Sequence, residues 1–98
     1  MKESDIREEI LAFLKKKGIM VWKDRQYVGK PTRGSQPTSV GVPDIMGVLN
    51  DGTFLGIEVK TPEGRISEAQ QDFIDRAIER GAMCFVARSL DDVTKRFP

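Results

Sequence analysis

The sequence contains at residues 41–60 the stretch GVPDIMGVLNDGTFLGIEVK, in which two short apolar segments flank a turn signal. The segments at residues 42–49 and 53–60 have the length and composition of β-strands. The intervening Asn50-Asp51-Gly52 is typical of a hairpin turn. The pattern therefore predicts two antiparallel strands that are neighbours in one sheet.

The second predicted strand carries charged residues where a buried strand is expected to be apolar. Leu55, Ile57 and Val59 alternate with Glu58 and Lys60. The two charged side chains therefore share one face, about 6.5 Å apart along the strand. A carboxylate and an ammonium in this position require a structural or functional explanation.

The length of the turn determines whether Asp44 lies on the same face as Glu58. A two-residue turn would pair Asp44 with Val59 and turn its side chain to the opposite face. A three-residue loop with Gly52 in the left-handed conformation would pair Asp44 with Glu58, with Cα atoms about 5 Å apart. The glycine at the third loop position favours this register. Because two carboxylates so close repel each other unless a cation lies between them, the register predicts a metal site.

Composition limits the chemistry of that site. The chain has 98 residues, and we expect residues 1–98 to form one small domain. It contains no His and a single Cys, Cys84, which excludes imidazole catalysis, His-ligated zinc and thiolate metal clusters. Oxygen ligands suit Mg²⁺, Mn²⁺ or Ca²⁺. We find no signal peptide and no membrane-length apolar segment, so we expect a cytoplasmic protein without membrane association.

The net charge of +1 conceals a basic segment. Residues 23–40 contain Lys23, Arg25, Lys30 and Arg33 against a single acidic residue, and they are rich in Gly, Pro, Ser and Thr. This composition predicts a long loop, and a basic loop suits contacts with phosphate groups. The four cations are therefore candidate nucleic-acid-binding residues. The alternative is a solvated connection with no binding role.

The rest of the chain alternates between helical and strand patterns. The predicted order is αβββαβα, with the fourth strand parallel to the third because a right-handed crossover joins them. The predicted elements are a first helix that ends before Gly18, a strand at 19–22, the two hairpin strands, a helix from Ser67 to Gly81, a strand at 82–87 and a short final helix that begins at Ser89.

This order and these motifs resemble the PD-(D/E)XK nuclease superfamily. More narrowly, Gly41-Val42-Pro43-Asp44, Ile57-Glu58-Val59-Lys60 and Ile66-Ser67-Glu68-Ala69-Gln70 are similar to the VRR-NUC (virus-type replication-repair nuclease) family. The resemblance extends from Glu3 to about Val93. It implies an α/β fold, a restriction-endonuclease-like αβββαβ core with a mixed central sheet flanked by helices, in a bacterial or phage-encoded protein.

The resemblance also implies roles for the central residues. Asp44, Glu58 and the Val59 carbonyl would hold a Mg²⁺ or Mn²⁺ ion close to the phosphate group. The Lys60 ammonium would position the attacking water and stabilise the charge that develops on the phosphorane. These four residues form the core of the expected active site.

Two further residues complete the expected site. In the VRR-NUC family a Gln at the position of Gln70 belongs to the active site, although Ser67-Glu68-Ala69-Gln70 is also a capping box that would use the same side chain. The superfamily commonly brings a Glu from the first helix to the metal or its waters. The apolar stripe of that helix is formed by Ile6, Ile10, Phe13 and Leu14. Glu3 lies on this stripe and is the preferred candidate, with Glu9, at the margin of the stripe, as the alternative.

The activity implied by the resemblance is that of a metal-dependent endonuclease that hydrolyses DNA phosphodiester bonds. The products would carry 5′-phosphate and 3′-hydroxyl ends. The resemblance also implies a homodimer that cuts branched DNA, as a Holliday-junction resolvase does, with a helicase as a further possible partner. The alternative is a catalytically inactive nucleic-acid-binding module of the same fold.

Overall fold

The computed structural model describes residues 1–24 and 41–98. Three of the four basic residues of the predicted loop, Arg25, Lys30 and Arg33, lie outside these ranges. The helices are α1 (Glu3–Lys16), α2 (Glu68–Glu79) and α3 (Asp91–Thr94), and the strands are β1 (Met20–Lys23), β2 (Ile45–Val48), β3 (Phe54–Val59) and β4 (Met83–Ala87). None of the helices in the described ranges is both long and apolar enough to span a bilayer.

The strands form one mixed sheet in the order β1-β2-β3-β4. The β1–β2 and β2–β3 pairs are antiparallel, and β4 runs parallel to β3 after the crossover through α2. This arrangement confirms the predicted order of elements and the predicted α/β class.

The hairpin loop has the three-residue form that the glycine favours. Leu49 N–H donates to the Thr53 carbonyl at 2.8 Å, and Gly52 N–H donates to the Leu49 carbonyl at 2.8 Å. Gly52 has a φ of +91°, in the left-handed region where a side chain would be strained. A type I turn followed by a left-handed glycine is a common way to close a three-residue hairpin.

The register of the hairpin follows from this loop. Ile45 pairs with Ile57 in the antiparallel ladder between β2 and β3. One step further along both strands, Asp44 comes opposite Glu58, and both side chains lie on the face opposite to Ile45 and Ile57. The register that predicts a carboxylate pair is therefore the one that the chain adopts.

One face of the sheet packs against α1 and forms the core. Ile10 and Leu14 of α1 are fully buried, and burial of each contributes roughly 1.5–3 kcal/mol. Leu11 is also buried, beside the predicted stripe. The core consists of apolar side chains from both helices and strands: Ile6, Ile10, Leu11, Leu14, Ile45, Leu55, Ile57, Val59, Phe85, Ala87 and Val93.

The opposite face of the sheet, which carries Glu58, is covered in part by α2. The rings of Phe54 on β3 and Phe73 on α2 lie 6.5 Å apart in a tilted arrangement. Gly41 approaches the first turn of α2 so closely that only a residue without a Cβ fits against the Ala69 backbone. These contacts bring the start of α2 to the same end of the sheet as Asp44.

Strand boundaries differ from the predicted ones near the site. The predicted second strand begins at residue 42, but β2 begins at Ile45, and Asp44 lies in a bend before it. Pro43 explains the difference, because it has no N–H group with which to continue the ladder. At the other strands the shifts are small: β1 runs from Met20 to Lys23, and β4 begins at Met83.

Two glycines allow a test of the contact between residue 41 and α2. Gly41 and Gly52 both have positive φ, +79° and +91°. A Cβ at Gly41 would lie 2.5 Å from the Ala69 carbonyl oxygen, whereas a Cβ at Gly52 would meet no atom within 4 Å. We expect Gly52→Ala to lower the free energy of unfolding by about 1–2 kcal/mol through backbone strain alone. Gly41→Ala should lower it further because α2 must also move.

Urea denaturation followed by circular dichroism measures both variants against the wild type. Equal losses of stability in the two variants would contradict the close approach of residue 41 to α2.

Candidate functional site

The ends of all four strands meet at one edge of the sheet, and Asp44, Glu58 and Lys60 lie there. β1, β3 and β4 end at this edge, and β2 begins at it, as the antiparallel and parallel pairings require. Backbone hydrogen bonds continue across the edge beyond the strands, from Asp24 N–H to the Asp44 carbonyl at 2.8 Å and from Lys60 N–H to the Ala87 carbonyl at 3.0 Å. Asp44 and Lys60 are thereby held on adjacent strand ends.

The Glu58 side chain is the buried polar group of this edge. It is 2% exposed, and its Oε1 accepts a hydrogen bond of 2.8 Å from Gln70 Nε2. Lys60 Nζ lies 3.9 Å from the same oxygen. The other oxygen, Oε2, is buried and has no hydrogen-bond partner in the described part of the chain. Because an unsatisfied buried carboxylate oxygen is costly, this atom is a candidate ligand for a bound cation.

The electrostatic environment of Glu58 disfavours its ionised form. Burial, together with the neighbouring Asp44 carboxylate, raises the pKa of Glu58 to about 8. The Lys60 ammonium opposes this shift, and the more distant charge of Glu3 adds to it. At neutral pH and without a cation the carboxyl group is therefore mostly protonated.

The Asp44 side chain accepts a hydrogen bond from a backbone N–H of β3. Its Oδ2 accepts from Val59 N–H at 2.9 Å. In the register of the hairpin the residue opposite Val59 is Pro43, where the antiparallel ladder would otherwise continue. The carboxylate is thus held in a fixed orientation against the end of β3, next to Glu58.

The same proline affects the Val59 carbonyl. In an antiparallel ladder this carbonyl would accept from the N–H of the opposite residue. Pro43 has none, so β2 supplies no backbone donor to the Val59 oxygen at that position. Pro43 is fully buried, and its ring lies against Gly56, where a Cβ would come within 3.0 Å. Pro43 is visible in the sequence, but only the register of the hairpin shows that it lies opposite Val59 and leaves the Val59 carbonyl without a donor from β2.

Gln70 forms the predicted cap and also contacts Glu58, while its role in an active site stays a prediction. Its backbone N–H donates to Ser67 Oγ at 3.1 Å, and its Oε1 accepts from Ser67 N–H at 2.9 Å, which completes the capping box. Its Nε2 donates to Glu58. The cap therefore orients the amide with its donor toward the carboxylate. The neighbouring Gln71 bonds instead to Asp75 on the surface of α2.

Carboxylates of α1 differ in their relation to the site. Glu3 is partly buried in the first turn, and its charge contributes to the raised pKa of Glu58. Glu8 lies on the exposed side of α1, where its Oε1 pairs with Lys23 Nζ at 3.0 Å. Glu9 is partly buried, on the following turns of the helix. Glu3 is thus the first-helix carboxylate whose charge acts on Glu58, and its catalytic role stays a prediction.

The donor set fits a hard divalent cation. Two carboxylates and a backbone carbonyl meet at the strand ends, and all are oxygen ligands. Within residues 1–24 and 41–98, no group of three or more His, Cys, Asp or Glu side chains forms a metal-binding cluster. A cation held here would therefore complete its coordination with the Val59 carbonyl, water and phosphate oxygens.

Lys23 is the one predicted phosphate contact that falls within the described residues. It ends β1 at the same edge of the sheet as Asp44 and is more than half exposed. Its ion pair with Glu8 is exposed on both sides, and solvent screens such pairs so that they contribute little to stability. Exchange of this partner for a phosphate group would therefore cost little.

Comparison with known proteins identifies the class and then the family. A family profile that covers most of the chain puts it in the class of nuclease-type domains. The sequence profile of the VRR-NUC domain matches residues 1–91, so the chain belongs to the VRR-NUC family. A solved structure described as a VRR_NUC domain is similar in fold, with a TM-score of 0.71 and 23% sequence identity over 98% of this chain and 97% of that one. No curated protein matches the sequence.

The raised pKa of Glu58 predicts a pH dependence of stability in the metal-free protein. The folded state holds the proton up to about pH 8, whereas the unfolded chain loses it near pH 4.5. The folded state therefore binds more protons between these values, and stability should fall as pH rises, by at most about 1.4 kcal/mol per pH unit. Denaturant unfolding in the presence of a chelator, at intervals from pH 5 to pH 8, measures this slope.

Glu58→Gln should flatten the slope, because the amide has no proton to lose. Glu79→Gln, which changes an exposed glutamate on α2, is the matched control and should keep the wild-type slope. Parallel slopes for wild type and Glu58→Gln would contradict the protonated state of Glu58.

Proposed function

We propose that this domain is a Mg²⁺- or Mn²⁺-dependent endonuclease that hydrolyses phosphodiester bonds in DNA. The main support is the buried Glu58 carboxylate opposite Asp44, with one oxygen that has no hydrogen-bond partner in the described ranges. The chain belongs to the VRR-NUC family, and in a nuclease-type domain such a carboxylate pair would bind a catalytic cation. A module that only binds nucleic acid gains nothing from burying the Glu58 carboxyl next to a second acidic group.

In this proposal Asp44, Glu58 and the Val59 carbonyl hold the cation. A bound divalent cation supplies positive charge that binds phosphate oxygens and lowers the pKa of a coordinated water. Glu58 gives up its proton when the cation is held, since the two compete for the same oxygens. The hydrogen bond from Val59 N–H keeps Asp44 facing the centre. Glu3, in the first turn of α1, would act on the waters around this centre.

Lys60 supplies a directed positive charge next to the metal ligands. Its Nζ is 3.9 Å from Glu58 Oε1, which is longer than a hydrogen bond, and its side chain is 16% exposed. The ammonium is therefore close enough to be positioned by Glu58. Within residues 1–24 and 41–98 it makes no hydrogen bond, and it would orient a water and stabilise charge on the phosphorane.

Gln70 keeps the Glu58 carboxylate in one orientation. Because Ser67 fixes the amide oxygen, the Nε2 group points to Glu58 Oε1. The second carboxylate oxygen, Oε2, is thereby left for the cation. This division of the two oxygens supports the assignment of Gln70 to the site as an orienting residue.

Branched DNA is the substrate that we propose within this class, with a homodimer as the active form. The proposal rests on membership of the VRR-NUC family. Two active sites in one dimer would cut opposing strands of a four-way junction. Lys23, at the edge of the sheet beside Asp44, would contact the phosphate backbone, together with Arg25, Lys30 and Arg33 from the segment outside the described residues.

Cleavage of a labelled panel of four-way junctions, flaps, single strands and duplexes tests the proposal. Wild-type protein with Mg²⁺ or Mn²⁺ should cut the branched substrates in preference and leave 5′-phosphate ends. Lys60→Ala should reduce the cleavage rate by about 10²–10³-fold, because it removes one charge that stabilises the transition state. DNA binding by this variant, measured by fluorescence anisotropy, should change little.

Lys16→Ala is the matched control, since Lys16 is an exposed lysine in the last turn of α1. Its cleavage rate should stay near that of the wild type. DNA binding without product from the wild type, under every metal condition, would support the inactive binding module instead. Light scattering on the same samples reports whether the active species has the mass of a dimer.

A further inference from the structure

The connection between β3 and α2 carries residues of the proposed site at both of its ends. Lys60 directly follows β3, and Gln70 lies in the first turn of α2. Residues 60–67 between them contain a single turn and no helix or strand. The relative position of Lys60 and Gln70 therefore depends on what holds this connection in place.

One arginine side chain holds it. Arg88 Nη1 donates to the carbonyl oxygens of Thr61 and Gly64 at 2.7 Å each, and to that of Pro62 at 3.2 Å. Within the connection itself, Gly64 N–H donates to the Thr61 carbonyl at 3.0 Å. A single guanidinium nitrogen thus gathers three carbonyls of one tight turn, and each of these bonds is strengthened by its positive charge.

Arg88 is itself well fixed. It follows β4, whose last residue, Ala87, accepts a hydrogen bond from Lys60 N–H at 3.0 Å. The backbone N–H of Arg88 donates to Asp92 Oδ2 at 2.8 Å, and this bond is the main reason that the pKa of Asp92 is lowered. The guanidinium group therefore extends from a rigid strand end and is only partly exposed.

We propose that Arg88 is a positioning residue of the active centre, which sets the relative placement of Lys60 and Gln70 through the turn at residues 61–64. The inference rests on the proposed nuclease function. The Nη1 atom of Arg88 bonds to backbone carbonyls and to no proposed metal ligand, so its effect on the reaction passes through the turn. Its planar, forked group suits several carbonyls at once, whereas a lysine ammonium is a point donor on a flexible stem.

Loss of this clamp should affect the rate of the chemical step rather than binding. The carboxylates Asp44 and Glu58 are held by the pairing of β2 with β3 and by the hydrogen bond from Val59 N–H to Asp44, so the cation ligands stay in place. A shift of about 1 Å at a catalytic group can cost about 10²-fold in rate. Lys60, which adjoins the turn directly, is the group most exposed to such a shift.

Steady-state cleavage of a four-way junction by Arg88→Ala and Arg88→Lys tests the proposal. Arg88→Ala should lower kcat by about 10–100-fold and leave KM and Mn²⁺ affinity near the wild-type values. Arg88→Lys should recover part of kcat, because one donor is restored. Arg80→Ala is the matched control: Arg80 donates to a carbonyl of its own helix, at Arg76, and its loss should leave kcat unchanged.

Amide hydrogen exchange of the metal-free protein gives a second measurement that does not depend on activity. Exchange at residues 61–67 should be roughly tenfold faster in Arg88→Ala, with no change in α1. Thermal unfolding of each variant allows all assays to be run well below its midpoint. If Arg88→Ala fails to fold, Arg88→Lys carries the test, with a smaller loss of kcat and faster exchange confined to the same segment.

Three results would overturn the proposal. The first is a kcat for Arg88→Ala equal to that of the Arg80→Ala control. The second is a rise in KM at constant kcat, which would make Arg88 a direct phosphate contact. The third is unchanged exchange at residues 61–67. If the wild type cuts no DNA at all, the proposed function fails. The first two results require an active wild type, the third is independent of activity, and each of the three overturns the Arg88 proposal alone.

Discussion

The placement of Asp44 opposite Glu58 is the constraint on which the rest of the site depends. It is set by the three-residue loop that Gly52 closes, because a loop shorter by one residue would turn the Asp44 side chain to the core face. Pro43 adds a second backbone effect, since it has no N–H to donate to the Val59 carbonyl. The Val59 N–H donates to Asp44 Oδ2 rather than to the Pro43 carbonyl, which a regular ladder would use. The carboxylate pair is thus a product of strand pairing as much as of the two motifs.

Placement of Glu58 next to Asp44 lowers the stability of the metal-free fold. Glu58 is buried, and its raised pKa shows that the ionised form is disfavoured. Its Oε1 is satisfied by Gln70, whereas Oε2 has no partner within the described residues. Retention of such a group is typical of functional sites, where stability is exchanged for chemistry. In the proposed account a divalent cation relieves both the repulsion and the unsatisfied oxygen.

Much of this arrangement could be predicted from the sequence. The loop glycine gave the register, and alternation along β3 put Glu58 and Lys60 on one face. The capping box placed Gln70 at the start of α2. Spacing alone could not show that its amide oxygen bonds to Ser67 while its amide nitrogen bonds to Glu58. The contact of Arg88 with residues 61–64 had no local signal, because it joins positions far apart in the chain. The predicted start of β2, at residue 42, was wrong. A proline within a strand pattern ends the ladder, and β2 therefore begins after Pro43, at Ile45.

The central claim is that the buried Glu58 carboxyl, opposite Asp44, holds a proton that a bound divalent cation displaces. Isothermal titration calorimetry with Mn²⁺ at pH 7, in buffers of different ionisation enthalpy, measures the number of protons released on binding. The account predicts the release of close to one proton per cation, about 0.9, and loss of both binding and release in Asp44→Asn. Binding that releases no proton, or that survives in Asp44→Asn, would contradict it.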